Sequence, residues 1–229
     1  IAVAYALAVL ESDTIKHPPL EVIFTTDEEV GMEGARGLDL APLKGKRLLN
    51  LDSEDEGEFL VSCAGGGRVS CKLPVRTCEA DGISYELSIG GLIGGHSGDE
   101  IDRGRGNANV LMGRVLNRII NESDYYIQHI EGGVADNAIT RECKACIVIA
   151  DKASDKLERL TDALDKEISA ELAVKDSGFC LKAVRVGKAS AVRVADADSS
   201  RHIARFLVSL PQGVQEMSTD IEGLVETSL

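Results

Sequence analysis

The feature that most constrains the fold is a change in hydrophobic pattern near Gly65. Upstream of it, an apolar, Ala-rich run over residues 2–10 is suited to a buried helix. Short apolar segments at 20–26 and 46–51 are typical of strands, and a short helix is predicted between them at 34–38. Helix, strand, helix, strand is the order of a parallel α/β sheet, so we predict part of such a sheet in this stretch.

Downstream of Gly65, alternating strands and amphipathic helices take over. One helix is marked by apolar residues at helical spacing: Val110, Leu111, Val115, Leu116 and Ile119. The predicted elements are strands at 68–77 and 83–89, a helix at 108–120, strands at 125–131 and 143–150, and helices at 153–174 and around 203–210. Strands followed by helices indicate an α+β sandwich, distinct from the first part.

The composition excludes several classes of partner. A net charge of −13 argues against nucleic acid and anionic membranes, because both attract basic surfaces. Aromatic residues make up 3% of the chain and Trp is absent, which argues against stacking on bases or sugars. No run is long and apolar enough to span a bilayer, and no basic region precedes the apolar run at 2–10. We therefore predict a cytoplasmic protein without a signal peptide.

The six cysteines are expected to be reduced thiols in that compartment. Cys143 and Cys146 have C-x-x-C spacing, but they lie in a predicted strand. Residues three apart on a strand point to opposite faces, so they cannot grip one metal ion. We predict core thiols rather than a zinc or redox pair.

Acidic clusters follow both predicted strands of the first part. Asp27, Glu28 and Glu29 come after one strand, and residues 52–56 come after the other, beginning with Asp52. The carboxyl ends of parallel strands share one sheet edge, where converging carboxylates favour a divalent cation and a general base. The alternative is a solvated acidic surface. A calcium loop starting at Asp52 fits less well, since Cys63 stands where the closing Glu belongs.

A Gly-rich loop over residues 90–98 carries His96. Its spacing is not that of a dinucleotide-binding loop, and no helix starts directly after it. A His on a flexible loop indicates either a group that approaches a substrate or an exposed residue of a hairpin turn. From the residues alone, the two interpretations stand side by side.

Four motifs, in this order, resemble those of the co-catalytic zinc exopeptidases. They lie at residues 26–35, at 50–58, at 94–98 running on through 106–109, and at 137–142. Together they are similar to the bacterial Xaa-His dipeptidase branch, whose members are carnosinase-like. The resemblance spans most of the chain, and several agreeing motifs make it specific.

The resemblance implies a role for three carboxylates of the first part. Glu28 would be the general base that activates a zinc-bridging water. Glu29 would ligate one zinc ion and Asp52 the other. Two zinc ions per full-length subunit are implied, with other divalent metals as an alternative.

The resemblance also implies roles in the second part. His96 would stabilise the tetrahedral oxyanion, in many relatives across a dimer interface. Asn137 would contact the substrate, although Thr140 here departs from the Pro that usually follows nearby. The Arg that often binds the substrate carboxylate is missing from the strand after this motif, so we expect it elsewhere. His17, His129 and His202 match no ligand motif and are expected to be structural or surface residues.

The resemblance implies a partial zinc-peptidase catalytic domain in residues 1–65, followed by an α+β lid domain in 66–229. The parent would be a cytoplasmic, homodimeric metallo-dipeptidase acting on Xaa-His or related dipeptides. A His-x-Asp motif, a bridging Asp and a later His ligand of the family are not in the sequence. We therefore expect an internal piece that is inactive alone. A related deacylase or aminotripeptidase and a non-catalytic binding protein are the alternatives.

Overall fold

A computed structural model of the chain shows which of these predicted elements form. It describes residues 1–29, 31–52, 56–63 and 65–229. The chain divides into two compact units, residues 1–65 and residues 66–229. No helix among the described residues is long and apolar enough to cross a bilayer.

The first unit contains the two predicted helices, α1 (Ala2–Glu11) and α2 (Glu33–Arg36). The prediction that the N-terminal helix is buried is wrong: no residue of α1 is buried, and Tyr5 is 63% exposed. An apolar helix is buried only where a second surface covers it, and in the described structure α1 is covered only in part, at Ala2, Ala6 and Val9.

The strands predicted at 20–26 and 46–51 are also not formed. A strand exists only as a member of a hydrogen-bonded ladder, and the described backbone of these segments makes no ladder. Instead the Glu21 carboxylate accepts hydrogen bonds from the N–H groups of Lys44 and Gly45, at 2.9 and 2.6 Å. This side-chain contact joins the two regions where a sheet was expected.

The second unit is built on an antiparallel four-stranded sheet with strand order β3-β5-β1-β6. Its strands and those of two small ribbons are β1 (Thr77–Gly90), β2 (Gly95–His96), β3 (Tyr125–Gly132), β4 (Ala138–Ile139), β5 (Cys143–Ile149), β6 (Cys180–Ala195), β7 (Val214–Met217) and β8 (Val225–Ser228). Its helices are α3 (Ala108–Ile120), α4 (Ser154–Leu172) and α5 (Ala197–Ser209).

Strand β1 is central and shows the alternation that its sequence predicts. Ile83, Tyr85, Leu87 and Ile89 are each at most 2% exposed, while the residues between them are partly exposed. The strand predicted at 68–77 begins only at Thr77. Thr77 pairs with Ala195, where β6 ends, so residues 68–76 lie beyond the end of the β6 ladder.

The main core lies between one face of this sheet and the three helices. From α3 it contains Leu111, Val115, Leu116 and Ile119, which confirms the predicted helical face except at Val110, which is only partly buried. Full burial of such a side chain stabilises the fold by about 1.5–3 kcal/mol. Asn107 caps α3, since its side chain accepts hydrogen bonds from the N–H groups of Asn109 and Val110. Helix α3 therefore starts at Ala108, immediately after this capping residue.

Candidate functional site

A two-stranded ribbon brings together two of the predicted site residues. Strands β2 and β4 pair so that His96 lies opposite Ala138, the residue after Asn137. The N–H of Ser97 donates to the Asn137 carbonyl oxygen at 2.9 Å. Both side chains are exposed. The ribbon thus brings the backbones of residues 96–97 and 137–138 together at the surface of the second unit.

The His96 ring is held by its own loop. Its Nδ1 accepts hydrogen bonds from the N–H groups of Gly98, at 3.1 Å, and Asp99, at 3.2 Å. A ring nitrogen that accepts carries no proton, so the neutral ring is the tautomer protonated on Nε2. The side chain is 53% exposed. His96 therefore offers a fixed N–H donor to a group that approaches the loop.

Two glycines are required for this loop conformation. Gly94 has φ 68°, and a Cβ there would collide with the side chain of Arg141. Gly95 has φ 144°, and its Cβ would lie 2.5 Å from Arg105 Nη1 and 2.6 Å from Glu100 Oε2. Any side chain would push against one of these neighbours, so the glycines permit the close packing beneath His96.

An ion pair beneath the loop is a feature that the sequence analysis missed. Arg105 Nη2 donates to Glu100 Oε1 at 3.0 Å, and its Nη1 donates to the Gly94 carbonyl oxygen. Glu100 Oε2 accepts the N–H of His96 at 3.1 Å. The hydrogen bond from the His96 backbone, and then that from Arg105, hold the pKa of Glu100 below its ordinary value. In the sequence both residues resemble an ordinary charged loop, so no signal distinguished them.

Comparison with known proteins identifies this unit. Residues 87–176 match the M20 peptidase dimerisation domain, and they include the whole β2–β4 ribbon. The matched segment therefore carries both His96 and Asn137.

Two dipeptidases are similar to the chain over nearly its whole length. It is 38% identical over 231 residues to cytosol non-specific dipeptidase of Escherichia coli (strain K12), covering 100% of this chain and 47% of the relative. It is also 38% identical to the solved aminoacylhistidine dipeptidase of Vibrio alginolyticus, with a TM-score of 0.73, covering 99% of this chain and 46% of that one.

These matches confirm the resemblance to the Xaa-His dipeptidases and the fold class, with a lid of the M20 dimerisation type. The parallel sheet of the first segment is the part that is not formed among the described residues. The chain spans about half the length of the relatives it matches.

The three predicted acidic site residues lie in the first unit and are exposed. Glu28 and Glu29 occupy a turn that follows Asp27, whose φ is 58°. The Glu28 carbonyl oxygen accepts the N–H of Gly31 at 3.1 Å, and the chain then enters α2. Residues 53–55 of the second acidic cluster lie outside the described residues, and Asp52 immediately precedes them.

The expected convergence of Glu28, Glu29 and Asp52 on one sheet edge is not formed in this structure. Among the described residues, no three His, Cys, Asp or Glu side chains are grouped to hold a metal ion. The prediction required strands at 20–26 and 46–51 to end at a common sheet edge beside these residues. Neither segment forms a strand. Glu28, Glu29 and Asp52 offer only oxygen ligands. Zinc favours about four ligands that include N or S donors, so these three residues do not form a zinc site by themselves.

The prediction of buried core thiols is confirmed for Cys143 but not for Cys146. Cys143 is buried in the main core, and Cys146 lies half-buried on the opposite face of β5. Burial, with a smaller effect of the Glu131 carboxylate, raises the pKa of the Cys143 thiol to about 12. Burial also raises the pKa of Cys146. Both thiols therefore stay protonated near neutral pH.

Proposed function

We propose that this chain forms part of a metallo-dipeptidase that hydrolyses Xaa-His or related dipeptides. The observation that carries the proposal is the oriented His96 imidazole on a segment that matches the M20 dimerisation domain, in a chain 38% identical to a dipeptidase along its whole length. A fixed imidazole donor suits an amide carbonyl that becomes negatively charged during hydrolysis.

In this proposal His96 stabilises the oxyanion and Asn137 contacts the substrate. The Nε2–H of His96 can donate to the oxyanion without a change of tautomer, because the backbone N–H groups of Gly98 and Asp99 already occupy Nδ1. A donor that is oriented before the reaction costs no reorganisation during it. Removal of one such donor typically raises the barrier by roughly 3 kcal/mol.

Glu28 is the proposed general base, and Glu29 and Asp52 are proposed ligands of two zinc ions. Such ions, when bound, polarise the scissile carbonyl and lower the pKa of a water molecule. The remaining ligands are proposed to lie outside the residues that we assign. The chain alone is therefore proposed to be inactive.

The proposed partner is a second copy of the same chain. The M20 match is to a peptidase dimerisation domain. Strand β6 closes one side of the four-stranded sheet and spans Cys180–Ala195, with Val184 and Val186 exposed at 53% and 67%. A long edge strand with exposed apolar residues can pair with another chain. The similarity to a dipeptidase named for the cytosol supports a cytoplasmic location.

A chimera tests the proposed activity. In it, this chain replaces the matched 47% of the E. coli dipeptidase. We expect the zinc-loaded chimera to hydrolyse Xaa-His dipeptides in preference to N-acyl amino acids and tripeptides. Glu28→Gln should lower turnover by about two to four orders of magnitude with unchanged metal content, since a general base typically contributes that much. Glu33→Gln, a change at an exposed acid on α2, is the matched control.

The proposal fails if a folded, metal-loaded chimera hydrolyses no dipeptide. Glu28 leaves the mechanism if Glu28→Gln is as active as Glu33→Gln. Circular dichroism and metal analysis of each variant show whether it is folded and loaded.

A further inference from the structure

The loop that carries His96 is closed at its base by one buried carboxylate. Asp176 follows α4 and is 0% exposed. Its Oδ1 accepts the N–H of Ile93 at 2.8 Å, and its Oδ2 accepts the N–H of Gly106 at 2.7 Å. A single side chain thus joins the two ends of residues 93–106.

A second contact lies one residue further into the loop on each side. Gly94 follows Ile93, and Arg105 precedes Gly106; the Arg105 guanidinium donates to the Gly94 carbonyl oxygen. The same guanidinium binds Glu100, which accepts the N–H of His96. We call these two successive contacts the neck of the loop. These hydrogen bonds, together with the peptide bonds that join Ile93 to Gly94 and Arg105 to Gly106, connect Asp176 to the backbone of His96.

The segment around Asp176 also supports the start of the loop by close packing. Gly91 has φ 75°, and a Cβ there would collide with the Gly178 carbonyl oxygen. A Cβ on Gly178 would lie 2.7 Å from the Gly91 carbonyl oxygen. The two backbones therefore touch, and residues 176–178 form a floor beneath the loop. This floor lies in the connection between α4 and β6, far along the chain from His96.

A buried carboxylate is costly unless hydrogen bonds compensate for lost hydration. In Asp176 each carboxylate oxygen receives one backbone N–H, and both N–H groups belong to the neck. Both of these hydrogen bonds of the Asp176 carboxylate therefore go to the loop that carries His96. A loop closed at its ends in this way holds its interior in one conformation.

We propose that Asp176 is a positioning residue for His96. Its carboxylate fixes the neck, and the closed loop then aims the Gly98 and Asp99 N–H groups at Nδ1, so that Nε2 carries the proton. The catalytic meaning of this tautomer rests on the proposed function, but the coupling between Asp176 and the His96 ring does not.

The test is the tautomer of His96 in this chain, measured from the ring nitrogen shifts by two-bond ¹H–¹⁵N NMR. The signals of the four histidines are assigned by single His→Gln variants. We expect the wild-type His96 ring to show the Nε2–H tautomer. In Asp176→Asn the amide keeps one acceptor oxygen, but its NH₂ faces a backbone donor, so one neck contact is lost. The ring should then become a mixture of tautomers.

Hydrogen exchange reports the neck itself. The Ile93 and Gly106 amides should exchange on the order of 10- to 100-fold faster in Asp176→Asn, the loss expected for a hydrogen bond to a charged group. Asp165→Asn is the matched control, because Asp165 also accepts a backbone N–H, that of Leu181 at 2.7 Å, but does not touch the loop. It should leave both the ring and the neck amides unchanged.

The proposal is overturned if Asp176→Asn speeds hydrogen exchange at the Ile93 and Gly106 amides while His96 keeps the Nε2–H tautomer. Asp176 would then hold the loop backbone without orienting the His96 ring. It is also overturned if Asp165→Asn changes the ring as strongly. Should Asp176→Asn not fold, Arg105→Gln breaks the second contact of the neck and must produce the same mixed tautomer. None of these measurements involves hydrolysis, so an inactive chimera with an intact tautomer coupling would refute the proposed function alone.

Discussion

Replacement of Gly95 by Ala tests the packing beneath the His96 loop. Gly95 has φ 144°, which a residue with a Cβ adopts at a cost of about 1–3 kcal/mol. The new Cβ would lie 2.5 Å from Arg105 Nη1 and 2.6 Å from Glu100 Oε2. These side chains are only 13% and 28% exposed, so neither swings freely into solvent.

Relief of this collision requires the charge-assisted hydrogen bond between Arg105 and Glu100 to break, at a further cost of about 1.5–3 kcal/mol. We therefore expect Gly95→Ala to lower the free energy of unfolding by about 2.5–6 kcal/mol, the sum of both effects. Gly187→Ala is the matched control: its φ is 153°, but nothing lies within 4 Å of the added Cβ. It should cost only the backbone strain, about 1–3 kcal/mol.

The assay is urea denaturation followed by near-ultraviolet circular dichroism. Of the chain's four tyrosines, Tyr85 and Tyr125 are buried in the second unit, and Trp is absent, so the signal reports mainly this unit. A loss of stability in Gly95→Ala no larger than that in Gly187→Ala would contradict the proposed collision with Arg105 and Glu100. Equal losses would mean that Arg105 and Glu100 move aside without cost.

Three further predictions concern the site. In the chimera, His96→Ala should lower kcat by about 100-fold or more with little change in KM. The control His129→Ala, at another exposed His, should change neither kcat nor KM. A rise in KM alone would make His96 a ground-state contact. Calorimetric titration of zinc into this chain alone should show no stoichiometric binding of two ions, and the chain should not hydrolyse Xaa-His dipeptides; two tightly bound ions with turnover would contradict this. Because the pKa of Glu100 is lowered in the folded state, its contribution to stability is present above its ordinary value of 4.5 and is lost as the pH falls through the folded value. Glu100→Gln should therefore flatten the loss of stability in acid, and an unchanged pH profile would remove Glu100 from the network.

Local patterns predicted most of the second unit. The helical spacing over 108–120 and the alternation over 83–89 each contain enough residues to mark one buried face, and both elements formed as predicted. Strand β6 escaped prediction because it is an edge strand with exposed positions on both faces and two register shifts against β1. Its apolar residues therefore show no clean period.

The predictions for the first unit had a different outcome. Apolar composition at 20–26 and 46–51 favoured strands, but no ladder forms among the described residues. A helix satisfies its own backbone, so α1 and α2 form from local sequence alone. A strand depends on a neighbour, and local sequence cannot supply one.

The sequence by itself determined which residues we propose to carry the chemistry: the Glu28–Glu29 pair, Asp52, the Gly94–Gly95–His96 loop and Asn137 are all visible as motifs. Only the tertiary structure decided how the His96 loop is held. The pairing of β2 with β4 brings Asn137 beside it, and the buried Asp176 closes its neck from a distant part of the chain. The physical reason is that motifs record residue types, whereas the orientation of an imidazole depends on backbone N–H groups and on a carboxylate whose position is set by packing.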